Sequence, residues 1–216
     1  MSQMVAPAVL DYLAQHHAPI DPVLDAIREE GLAAGLPLVD AMTARLLRLL
    51  VAATGARRVL EIGTAIGYSA ACMAQVMPDD STLFTMEIDP ARAETARRNL
   101  ARAGVGHRVH VIVGDAERFL HKVAGPFDLV FQDGAKQQYE PLLDRIVERM
   151  RPGGVLVSDN VLWHGEAVPG FVAEPRRPVA DTEAIRQYNR RLATHPALFT
   201  TLLPVGDGVA LSLKRA

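Results

Sequence analysis

Two hydrophobic rhythms divide the chain. From about residue 5 to residue 54, apolar positions recur at helical spacing between turn signals, which predicts a helical N-terminal segment (1–54). Asp21-Pro22 marks a helix start, because proline suits the first helical position, where its missing N–H has no partner to lose. Gly31, Gly35 and Pro37 interrupt the next stretch. Ala41, Leu46, Leu47, Leu49, Leu50 and Val51 then give a further apolar face ending near Gly55. From Arg57 the rhythm shortens. Val59–Ile62, Thr82–Met86, Val109–Val113, Phe127–Phe131 and Val155–Val157 are short apolar runs, with helical stretches such as Pro90–Ala103 between them. That alternation predicts parallel strands buried on both faces. The end differs: Phe199–Leu203 and Val209–Leu213 flank Pro204-Val205-Gly206-Asp207-Gly208, which predicts an antiparallel hairpin closed by a tight Asp-Gly turn. The expected fold is α/β, a doubly wound, mostly parallel sheet with an antiparallel C-terminal hairpin and helices on both faces, in one domain spanning 1–216.

Composition narrows the partners. Lys and Arg total 23 against 25 Asp and Glu, a net charge of −2, so the basic footprint of a long-nucleic-acid binder is missing. A short structured RNA stays compatible with it. The one cysteine, Cys72, excludes an intrachain disulfide and a thiolate metal cluster; within Ala70–Ala74 it reads as a buried helix residue. No apolar stretch approaches the roughly 20 residues that span a bilayer. The first 15 residues lack the basic start of a signal peptide, so the expected location is cytoplasmic, with no membrane partner.

Candidate chemistry gathers at the strand ends. The first strand runs into Glu61-Ile62-Gly63-Thr64-Ala65-Ile66-Gly67-Tyr68-Ser69. Its G-x-x-x-G spacing differs from the G-x-G-x-x-G that cradles a pyrophosphate, and it suits a cofactor without phosphates. Glu87, in Glu87-Ile88-Asp89-Pro90, closes the second strand where an acid meets ribose hydroxyls. Asp115-Ala116 follows the third strand, where Asp115 is placed for an adenine amino group; alone, it reads as a cap for Ala116–Lys122. Jointly, three successive tips point to an adenosyl ligand.

The fourth strand delivers Phe131-Gln132-Asp133-Gly134-Ala135-Lys136 and the fifth Ser158-Asp159-Asn160. Two carboxylates and an amide oxygen form a hard donor set suited to Mg²⁺ or a similar divalent cation, and less to zinc. Such a cation makes a hydroxyl easier to deprotonate, and Lys136 is the candidate proton acceptor. Taken singly, Lys136 can simply pair with Asp133, and Asp159-Asn160 can form an Asx-turn. Asp-x-x-Lys on one tip and Asp-Asn on the next carry the reading together.

Several stretches resemble one known family: Arg58–Ala70 (RVLEIGTAIGYSA), Met86–Asp89, Phe127–Tyr139 (FDLVFQDGAKQQY), Arg151–Gly165 (RPGGVLVSDNVLWHG) and the terminal LLPVGDGVALSLKR. They are similar to the metal-dependent, S-adenosylmethionine-dependent O-methyltransferases related to catechol and caffeoyl-CoA O-methyltransferases, above all to their small bacterial members. The resemblance covers nearly the whole chain from about residue 35. It implies a Rossmann-like sheet of seven strands, metal ligation by Asp133, Asp159 and Asn160, and Lys136 as base. It also implies cofactor contacts from Glu61, Gly63, Thr64, Tyr68, Ser69, Glu87, Ile88, Asp115, Ala116 and Asp133, and from Met42 in the preceding Leu38–Thr43 segment. Asp40-Ala41-Met42-Thr43 departs from the Pro-Glu-x-Gly common there. Gln132 stands where an apolar residue is usual, with an active-site water as a candidate partner.

The acceptor implied is a small phenol or catechol. Trp163 and His164 are candidates to stack on it and hydrogen-bond it; the alternative is a Trp packed under a loop beside an exposed His. Glu166–Val179, rich in Pro and Gly, reads as a mobile lid. The alternative acceptor is a hydroxylated uridine in a transfer-RNA anticodon, gripped by Arg176, Arg177, Arg186, Arg190 and Arg191. A homodimer through the N-terminal helices is a further expectation. A non-catalytic adenosyl-binding module is disfavoured by the full metal and base set. A nicotinamide-dependent dehydrogenase is disfavoured by the glycine spacing and the terminal hairpin.

Overall fold

The computed structural model describes residues 5–216; the first four residues, which belong to the predicted N-terminal segment, lie outside the described residues. Three helices come first: α1 (Pro7–Gln15), α2 (Pro22–Ala33) and α3 (Ala41–Thr54). Asp21 caps α2 by accepting hydrogen bonds from the amides of Val23 and Leu24, with Pro22 behind it as expected. Gly31, expected to interrupt this helix, lies inside it. A side chain there would meet Leu38 and Ile66, so glycine allows close packing and Gly35 follows the helix end. Asp40 caps α3, and Gly55 ends it in the left-handed conformation.

The alternating part comes next: β1 (Arg58–Ile62), α4 (Tyr68–Ala74), β2 (Thr82–Glu87), α5 (Pro90–Arg102), β3 (Val109–Val113), α6 (Ala116–Phe119), β4 (Phe127–Gln132), α7 (Tyr139–Glu148), β5 (Met150–Ser158), α8 (Val179–Thr194), β6 (Leu198–Leu203) and β7 (Val209–Lys214). All seven strands join one sheet in the order β3-β2-β1-β4-β5-β7-β6. The first five are parallel, and β7 runs antiparallel to both β5 and β6. This is the expected architecture. Two apolar cores cover its faces. One collects Leu24, Ile27, Leu47, Val51, Cys72, Leu100 and Leu129; the other collects Leu142, Ile146, Leu156, Ile185 and Tyr188.

Two expectations need correction. Not every parallel strand is buried on both faces: β3 lies at the sheet edge, with His110 and Val113 exposed. The hairpin is not closed by a tight two-residue turn either. The register pairs Leu203 with Val209, which leaves a five-residue loop, Pro204–Gly208. That loop is long enough to carry a side chain back over the sheet edge.

Strand order reverses between β1 and β4, opening a crevice at the carboxyl ends of the parallel strands. Register brings their tips level. Ile62 pairs with both Met86 and Gln132, Glu87 with Val113, and Gln132 with Ser158. The ladder continues one residue past the strands, with Asp133 N donating to Ile62 O and Asp159 N to Gln132 O.

Candidate active site

Gly63 leaves β1 at φ +97, a conformation that L side chains rarely adopt, and a Cβ there would lie 2.4 Å from the Asp133 carbonyl oxygen. Glycine is therefore what lets the β1 loop press against the β4 tip. The rest of that loop is tied down from two sides. Glu87 accepts hydrogen bonds from Ala65 N (2.8 Å) and Asp89 N (3.0 Å), so the acid expected at the ribose holds β1 and β2 ends together. Glu61 is fully buried, with its two oxygens accepting from Ser69 Oγ and Thr85 Oγ1, each at 2.5 Å. Burial pushes its carboxyl up to about 7, against the opposing effect of those two hydroxyls. Thr64, Tyr68 and Ser69 are buried as well, and Thr64 Oγ1 is hydrogen-bonded to Thr85 Oγ1.

Asp115 caps α6 through Arg118 N and also accepts from Gln138 Nε2 at 2.9 Å, which links the β3 tip to the turn after β4. Ala116 is buried and Ile88 is exposed. Met42 sits in the first turn of α3, its amide donating to Asp40 Oδ1. A side chain on Gly206 would lie 3.1 Å from Asp40 Cβ, so this segment borders the β6–β7 loop.

Between β4 and β5 the polar groups converge. Lys136 Nζ donates to Asp133 Oδ1 at 3.1 Å, to Asn160 Oδ1 at 2.6 Å and to Tyr139 OH at 2.8 Å. Three acceptors are the full complement of an ammonium. Asp159 is 2% exposed; burial first and the neighbouring Asp133 charge second push its carboxyl up to about 8. Asn160 adopts φ +59, a conformation asparagine tolerates, and its backbone N–H donates to Asp159 Oδ1. Among the described residues no group of three or more His, Cys, Asp or Glu side chains is placed to hold a metal; the donor set here is two Asp and one Asn.

A family model described as O-methyltransferase matches residues 16–215. The chain belongs to that family. The catechol O-methyltransferase of Mycobacterium tuberculosis is 41% identical over 203 residues, 90% of each chain. Among solved structures, the O-methyltransferase TomG from Streptomyces achromogenes, in complex with SAM, superposes at a TM-score of 0.86. It is 32% identical and all of each chain is covered. The O-methyltransferase from Bacillus cereus in complex with SAH superposes at 0.83, with 29% identity over 96% of this chain and 97% of that one.

Within this O-methyltransferase, some side chains were missed from sequence or placed differently by the structure. Tyr139 is fully buried; its hydroxyl receives Lys136 and donates toward the Gln132 and Asp159 carbonyls, so it fixes the lysine against both strand tips. Its sequence signal was weak, a Tyr three residues after the lysine. Asp207 of the five-residue loop accepts from His164 N at 2.5 Å and Asn160 Nδ2 at 3.4 Å. Gln132 is a correction: it is fully buried, donating to Tyr139 O and accepting from Tyr188 OH, so it faces protein rather than an open site. Trp163 and His164 come after Asn160 at φ +50 and +56, two further left-handed residues in a turn held against the β6–β7 loop by Val161 N to Gly208 O and Leu162 N to Asp207 O. Residues 166–178 form no regular element. The loop is closed at its base by Glu166, whose carboxylate accepts from Arg176 N and Arg177 N.

Proposed function

We propose that the protein transfers a methyl group from S-adenosylmethionine to a hydroxyl of a small phenolic or catecholic acceptor, with a divalent cation such as Mg²⁺ held by Asp133, Asp159 and Asn160. The convergence on Lys136 Nζ carries the reading: oxygens from two neighbouring strand tips already meet at a positive charge. The donor set fits such a cation, being all oxygen, with two carboxylates and one amide. Asp159 adds the second argument, since a carboxyl that burial disfavours as an anion gains most from a nearby cation.

When bound, the cation would supply Lewis acidity and orientation to the acceptor hydroxyl. The chain's own residues do the rest. Lys136 Nζ, held in place by Tyr139 OH, is the group that would take the hydroxyl proton after releasing one of its own. The acceptor oxygen then bonds the methyl carbon as the carbon–sulfur bond breaks, leaving the neutral thioether. The β1 loop pressed on the β4 tip sets the distance between the adenosyl end and the acceptor end, and holding two reactants in line is worth on the order of 7–11 kcal/mol. Binding of SAM by TomG and of SAH by the Bacillus cereus protein supports the donor.

The transfer-RNA alternative gains no supporting observation. Arg186 and Arg191, two members of its phosphate patch, are already paired, Arg186 with Glu183 and Arg191 with Glu140 and Asp144. An acceptor screen with labelled S-adenosylmethionine and Mg²⁺ tests the reading. Label is expected in small catechols; incorporation only into transfer RNA would replace that acceptor class.

A further inference from the structure

The lid-side cation Arg177 has an unusual set of neighbours. Its guanidinium lies 2.5 Å from His164 Nε2 and 5.6 Å from the centre of the Trp163 ring. Among the described residues no carboxylate pairs with it. The nearby acid, Glu166, accepts from the Arg176 and Arg177 backbone instead. Burial, with Arg177 adding to it, holds the His164 imidazole below its ordinary value despite Asp207 nearby, so the ring meets Arg177 as a neutral acceptor. A guanidinium resting on an indole face keeps edge N–H groups for a planar anion.

The position of that cation matters as much as its freedom. Lys136 Nζ lies 5.7 Å from the centre of the same Trp163 ring, so the two positive groups, both against one indole, are within about 12 Å of each other. An aromatic ring with its hydroxyls at the Lys136 end and lying along Trp163 directs its opposite substituent toward Arg177. Dihydroxybenzoates and dihydroxycinnamates are flat and fit within that span.

We propose that Arg177 selects acceptors bearing a carboxylate, so that the preferred substrates are hydroxylated aromatic acids rather than neutral catechols. The proposal rests on the methyltransferase reading of the same site. A carboxylate would meet two N–H donors of one guanidinium, the geometry for which arginine is suited.

Trp163 is the only tryptophan in the chain, so quenching of its fluorescence reports occupancy of this site without turnover. Titrations of the protein with 3,4-dihydroxybenzoate and with catechol, in Mg²⁺, give two dissociation constants. The acid is expected to bind at least about tenfold more tightly. Arg177→Gln should bring the ratio near one, and Arg177→Lys should restore part of it. Equal constants in the native protein, a preference that survives Arg177→Gln, or no saturable quenching by the acid would each overturn the proposal. Methyl transfer measured on the same samples separates the two readings. If neither acceptor is methylated while the binding preference holds, methyl transfer fails and the carboxylate site stands.

Discussion

Two buried carboxyls, Glu61 and Asp159, show how differently acidic side chains are used along a sheet edge. Glu61 lies under the β1 loop, where Ser69 and Thr85 satisfy both oxygens; Asp159 follows β5, beside a second carboxylate, Asp133. Glu61 makes a prediction about pH. Its folded value of about 7 stands above the ordinary 4.5, so the folded form keeps a proton that the unfolded chain has released. Its contribution favours folding most below about pH 4.5 and weakens as pH rises toward about 7. Glu61→Gln stays neutral across that window. The melting temperature of the native protein should therefore fall relative to the variant as pH rises through it, measured in chelator; a constant difference contradicts the assignment. At this scale the sequence was uneven. Asp133, Lys136, Asp159 and Asn160 stood out because their types and spacing are chemical. Tyr139 and Asp207 did not, since a buried Tyr and a turn Asp are ordinary until their partners, far along the chain, are known.

At the scale of elements, the contact between the β1 loop and the β4 tip holds the two strand ends together. Gly63→Ala tests it. The added methyl has the Asp133 carbonyl in its way, and alanine is strained at φ +97. A cost on the order of 2–4 kcal/mol in stability is expected, with weaker S-adenosylmethionine binding by calorimetry. A variant that melts and binds like the native protein would remove this contact from the account. Six strands were readable because period and length are local properties, and their limits lie within one residue of the expected ones; β5 begins at Met150, five residues before the expected Val155, because pairing with β4 carries it through Pro152-Gly153-Gly154. The loop closing the hairpin was not readable, because register, and with it the excursion that carries Asp207, is fixed by pairing across β5, β6 and β7. Local sequence offered only an Asp-Gly pair, which names a turn without its length.

For the whole molecule, the sheet and its two cores lie within the stretch from α2 to β7. Helix α1 buries no residue, and Val9, Leu10 and Tyr12 stay exposed. Replacing Val9, Leu10 and Tyr12 together by Ser should leave the melting temperature within about 2 °C, since these exposed side chains take no apolar area out of the core; a large drop would show packing that this arrangement lacks. The α/β class was legible from rhythm alone, whereas the count of seven strands came with the family resemblance. Strand order and helix packing on either face depend on contacts between distant segments, which no local rhythm encodes.

One site joins an adenosyl donor to a hydroxyl held by Asp133, Asp159 and Asn160 in the function proposed for this chain. The most direct measurement is methyl transfer to a catechol by metal-stripped protein as Mg²⁺ is added back, with S-adenosylmethionine affinity followed in parallel for native protein and Asp133→Ala. The account predicts no transfer in chelator and recovery with Mg²⁺ for the native protein. For Asp133→Ala it predicts no recovery, with donor affinity largely kept. Full activity in excess chelator, or undiminished turnover by Asp133→Ala, would contradict it.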